Sequence, residues 1–123
     1  MTQIDLKSLS TDQLLEHFAS IGVEQDKADE AEDNAKYERL FKQMSAIQNE
    51  LKSRPGDQRR ALVQLFDYPN MQVRLMAAKY ALAPVPVAAR SALEAIAAST
   101  WPPQCYDARM CLWMIDEGKF VPT

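Results

Sequence analysis

Residues 67–82 read DYPNMQVRLMAAKYAL, and the reading of this stretch decides the fold. Asp67, Pro69 and Asn70 are turn residues, each for its own reason: a side-chain acceptor, a fixed φ, and tolerance of tight backbone. Asn70 is also a good N-cap for the segment that follows. In that segment Ala77 and Ala78 stand where two helices can touch closely. The stretch therefore reads as a turn opening onto a packed helix, which is scaffold and not chemistry.

The same punctuation extends outward. Asp57 can cap QRRALVQLF. Pro86 opens VAARSALEAIAAS at a position where a missing N–H costs nothing, and Pro103 does the same for QCYDARMCLWMIDE. Gly118 closes that last segment. The linkers are a few residues each, which predicts antiparallel helical hairpins.

Toward the N-terminus, Ser10 and Gln13 form a capping box, with Leu9 and Leu14 at the positions of a hydrophobic staple. Leu14, Leu15, Phe18 and Ile21 then share one face, and Gly22 reads as a stop. Residues 24–33 hold six acids and one lysine, a composition suited to a helix N-terminus. Tyr37, Leu40, Phe41, Met44, Ile47 and Leu51 recur at spacings of three and four. The longest helix is therefore expected from about residue 28 to residue 53, ended by Pro55-Gly56. No run alternates with period two. The expectation is all-α: about six helices in a single domain over 1–123. Residues 1–56 supply an N-terminal pair with one long helix, and 57–118 supply two hairpins.

Composition narrows the function. The chain has 123 residues, enough for one domain, and only three glycines. Residues 1–56 carry seven basic and eleven acidic side chains, and residues 57–123 carry seven and six. Neither half has the strongly basic surface that phosphate binding requires, so nucleic acid is an unfavoured partner. The start, MTQIDLKSLSTDQ, lacks the apolar core of a secretion signal. No apolar run approaches the roughly 20 residues that span a membrane. Cys105 and Cys111 on one helix would be separated by about 9 Å of rise and could not bridge. Free buried thiols in a cytoplasmic protein are expected.

ALVQLFDYPNMQVRLMAAKYAL and ALEAIAASTWPPQCYDARMCLWMI form a faint internal repeat, with Val73-Arg74 matching Ala108-Arg109. The leucine-rich helix, the turn with Asp67 and Pro69, Val73-Arg74 and the alanine pair resemble a HEAT repeat. The resemblance is good over 57–83 and weaker over 86–118, where STWPPQCY departs from the usual turn. It implies that Asp67, Arg74 and Arg109 form a polar ladder tying successive repeats. ELKSRPGDQRRAL, YPNMQVRLMAAKYAL and DARMCLWMIDEGKF are also similar to a family of small bacterial proteins of unknown function, which implies a cytoplasmic helical protein and no particular activity.

Few residues offer chemistry. His17 is the single histidine, beside Phe18, with no nucleophile near it in sequence. The cysteines lack the spacing and company of a zinc site. The acids of 24–33 lack the glycine of a calcium loop; Asp26, Asp29, Glu30 and Asp33 can share a face and meet a basic partner. Lys52, Arg54, Arg59 and Arg60 surround Pro55-Gly56 and could hold an anion. No cofactor or metal is implied. The last helix is apolar nearly all round: Tyr106, Met110, Trp113 and Met114 on one side, Ala108, Cys111, Leu112 and Ile115 on the other. It needs cover from the KFVPT tail, from the first helix, or from a partner or second copy.

The expected function is a non-catalytic protein-binding module, with Arg74, Lys79, Tyr106 and Met110 on an extended face and Trp101, Trp113 and Met114 at its apolar end. An immunity- or inhibitor-type protein masking a basic site is a specific version, and a homodimer through the last helix is another outcome. The alternative is a HEAT-like nucleic-acid or base-excision enzyme, for which Trp101, Trp113 and Asp107 are the residues to draft.

Overall fold

The computed structural model describes residues 5–123. The regular elements among them are all helical. A 3₁₀ turn, Leu6–Ser8, precedes α1 (Thr11–Glu30) and α2 (Asn34–Ser53); a 3₁₀ helix, Gln58–Leu65, leads to α3 (Met71–Tyr80), α4 (Pro86–Ala98) and α5 (Gln104–Asp116). Internal contacts group residues up to Ala61 into one unit and Leu62–Thr123 into a second.

In the first unit α1 and α2 pack as a hairpin. The capping box forms: the Gln13 amide donates to Ser10 Oγ at 3.1 Å, and the Ser10 amide donates to Gln13 Oε1 at 2.8 Å. Gly22 does not end α1, contrary to expectation. It lies in a buried row with Phe18, Ala19, Gln25 and Ala28. Continuing that row against Leu40, Met44, Ile47 and Leu51 outweighs the roughly 1 kcal/mol that glycine costs in a helix interior.

The expected 28–53 helix is accordingly two helices. The chain breaks at 31–33, where Glu32 takes a left-handed φ of 54° and Asp33 Oδ1 accepts the Lys36 amide at 3.1 Å. Most of the acidic run therefore ends α1, where the macrodipole disfavours it. Only Asp33 opens α2.

Gln58–Leu65 winds as 3₁₀. Arg59, Leu62 and Leu65 are buried at intervals of three, the period of that helix, which suits it better than 3.6. Eight residues is long for this conformation.

In the second unit α4 packs on both α3 and α5. Asn70 caps α3, its Oδ1 accepting the Val73 amide at 3.2 Å. Ala77 and Ala78 are fully buried, as close helix approach requires, and so are Val73, Leu93, Ala89 and Ala108. After α5 the Gly118 amide donates to the Ile115 carbonyl and the Lys119 amide to that of Met114, with Gly118 left-handed at φ 70°.

Candidate functional site on the last helix

On α5, Gln104, Cys105, Ala108 and Cys111 face the interior. That choice turns Tyr106, Met110 and Trp113 outward together, because spacings of four and three keep residues on one helical face. They are 62, 56 and 47% exposed, and Trp101 ahead of the helix is 61% exposed. Met114, expected beside them, is half-buried. Its carbonyl anchors the tail, accepting the Lys119 and Phe120 amides at 2.9 and 3.2 Å. The tail turns back and sets Lys119 over the Trp113 ring, yet leaves Tyr106 and Met110 exposed, and Phe120 itself is exposed.

Two of the rings carry a cation. The Arg109 guanidinium lies 5.4 Å from the Tyr106 centroid, and Lys119 Nζ lies 4.4 Å from the Trp113 centroid. At exposed sites each such contact contributes about 0.5–1 kcal/mol. Neither cation forms an ion pair with a carboxylate among the described residues. The other charges on α5 are tied to neighbouring helices: Asp107 to Lys79 of α3 at 3.1 Å and Asp116 to Arg90 of α4 at 2.9 Å. The Arg90 hydrogen bond holds the Asp116 carboxyl below its ordinary range, and the same bond raises Arg90. These pairs were not legible in the sequence, which shows the charges but not which helix each one faces.

Asp67, Arg74 and Arg109 do not form the expected ladder. Arg74 Nε donates to the Tyr68 carbonyl, and Arg109 Nε donates to the Ala97 carbonyl at 2.8 Å. Each arginine thus holds backbone at or just beyond the end of the preceding helix, where carbonyls lack intrahelical partners. Asp67 is exposed and pairs with neither. It lines, with Arg74, an open groove of 520 Å³ floored by Ala88, Ala92, Ala95 and Ile96 of α4.

The other sequence candidates are accounted for within their own surroundings. Arg54 gives its Nε to Glu50 at 2.9 Å and its Nη2 to the Leu9 and Leu6 carbonyls at 2.7 and 3.1 Å. Arg59 is buried, reaching Asp57 at 2.6 Å and Gln48 Oε1 at 3.2 Å. The hydrogen bond from Arg59 holds the Asp57 carboxyl below its ordinary range. Arg60 Nε donates to the Gly56 carbonyl. These engagements leave no arginine cluster open to an anion. Asp29, Glu30 and Asp33 are exposed near the α1–α2 corner, with Asp26 half-buried. They do not share one helical face, because the break after Glu30 separates Asp33 from the rest. Both cysteines are free and buried, and burial raises the Cys111 thiol. Among the described residues no group of three or more His, Cys, Asp or Glu side chains could hold a metal. Among the described residues no helix is long and apolar enough to cross a membrane.

Residues 12–116 match the family model described as a domain of unknown function, DUF2019. The crystal structure of the protein RPA1889 from Rhodopseudomonas palustris CGA009 superposes with a TM-score of 0.95 at 51% identity, covering 98% of this chain and 100% of that one. No curated protein matches.

Proposed function

The chain belongs to the DUF2019 family, and from that premise we propose that it is a non-catalytic protein-binding module whose contact surface is the outward face of α5. One observation carries the reading: Tyr106, Met110 and Trp113 stand exposed in a row on a single helix, with Trp101 exposed just ahead of it. Aromatic residues and methionine are enriched at protein interfaces, and such a row on a small domain marks a contact site. Arginines that hold the backbone of the preceding helix at corresponding positions of two hairpins support a HEAT-like arrangement of the second unit. Arg74 and Lys79 then contribute less to contact than the sequence suggests, since Arg74 is half-buried and Lys79 is paired with Asp107.

An immunity- or inhibitor-type role would use the acidic corner at Asp29, Glu30 and Asp33. The base-excision alternative gains nothing here: Asp107 is held by Lys79, and Lys119 covers the Trp113 ring.

The test is affinity capture with the tagged protein and with Trp113→Glu and Met110→Lys. A stoichiometric protein retained by the parent and lost from both folded variants supports the reading. Retention by both variants overturns the assignment to α5.

A further inference from the structure

Resting on the α5 face being a protein contact surface, we propose that its occupant is a second copy of this chain, docked so that the two α5 helices run antiparallel about a two-fold axis beside Trp113. The charges on the helix carry the argument. Arg109 and Asp116 are seven residues apart, two turns of helix, and so lie on the same flank of the exposed row. A two-fold axis midway between them and perpendicular to the helix brings Arg109 of each copy level with Asp116 of the other. The axis keeps each flank on its own side, so both reciprocal pairs form at once, as an isologous interface requires.

The availability of the groups agrees. Arg109 spends its Nε on the Ala97 carbonyl and lies over the Tyr106 ring, but forms no ion pair with a carboxylate among the described residues. Asp116 is held at the surface by Arg90, and a carboxylate has acceptor sites for a second cation. The same register sets Trp113 beside the axis, places Met110 of each copy within about one turn of Trp113 of the other, and sets Lys119 level with Tyr106 of the other copy. A parallel two-fold pairing would instead set Arg109 level with Arg109 on opposite flanks, where neither meets a carboxylate of the other copy. The half-exposed large side chains offer about 400 Å² per copy, about half of what a standard interface takes from one partner. The dimer is therefore small and reversible.

Sedimentation equilibrium of the full chain at about 100 µM, a concentration that fills a micromolar-class site, tests this. The parent is expected to show twice the monomer mass. Trp113→Glu, Arg109→Asp and Asp116→Arg are each expected to sediment as monomers, with helical content checked by circular dichroism. An equimolar mixture of Arg109→Asp and Asp116→Arg is expected to recover the dimer, because each chain then supplies the charge the other lacks. A monomeric parent, or a mixture that stays monomeric, overturns the proposal. If the parent is monomeric while Trp113→Glu still abolishes capture of a different protein, the face remains a contact surface and only the second copy is wrong.

Discussion

The two units hold their helices together by different means. The first is a hairpin of two long helices with large apolar side chains in the seam, locked at one end by polar clamps: Arg54 on the Leu6 and Leu9 carbonyls, and Arg59 between Asp57 and Gln48. The second is three short helices whose seam sets fully buried Ala77, Ala78, Ala81, Ala89 and Ala108 among Val73, Leu75 and Leu93. Its ion pairs, Lys79–Asp107 and Arg90–Asp116, lie at the surface. The long hairpin combines large side chains with Ala19, Gly22 and Ala28 in its buried row and fixes its end with partly buried arginines. Short helices gain enough contact only by coming close, which small residues permit.

That contrast can be broken or sharpened in steps. The largest effect is expected from removing a central side chain: Phe18→Ala in α1 loses about 3–5 kcal/mol and Leu93→Ala in α4 about 2–5 in urea unfolding. Arg54→Ala is expected to cost about 2–3 kcal/mol, because its hydrogen bonds are charge-assisted and partly buried; a loss below about 0.5 would mean the clamp is decorative. Ala78→Leu tests the opposite unit by overfilling it, at about 1–3 kcal/mol, whereas additions to exposed positions of α2 should be neutral.

Asp57→Asn is expected to cost about 1–2 kcal/mol at neutral pH, leaving buried Arg59 without its carboxylate. The folded carboxyl lies below the unfolded value near 3.8. Its contribution is therefore present above that value and disappears as pH falls through the lower folded one. The parent and the variant should converge in acid-unfolding curves once the pH lies below the lowered folded value. Smallest of all, Asp67→Ala should change the unfolding midpoint by the equivalent of less than about 0.5 kcal/mol. A larger loss would restore the ladder.

The punctuation was legible where one residue decides one local event. Ser10 with Gln13, Asn70, Pro86 and Gly118 each mark a boundary found in the structure, and the all-helical class follows from them. Gly22 misled because its meaning depends on the partner face: glycine at an exposed helix end is a stop, while glycine in a buried row is a contact. The acidic run misled for the same reason, since favourable charge placement is weaker than continued burial. At the candidate site, Tyr106, Met110 and Trp113 were legible as one face from spacing alone. Their exposure was not, because it depends on where the tail goes. The partners of Arg74 and Arg109 were hidden too, since backbone carbonyls leave no mark in a sequence.

The long 3₁₀ segment Gln58–Leu65 has a kinetic consequence. Its hydrogen bonds are strained relative to those of an α-helix, and the internal contacts of each unit stop within it, between Ala61 and Leu62. Its amides should exchange with solvent sooner than those of the flanking helices. Trypsin should find exposed Arg60 well before buried Arg59, and a nick there divides the chain into two segments that nearly coincide with the two units.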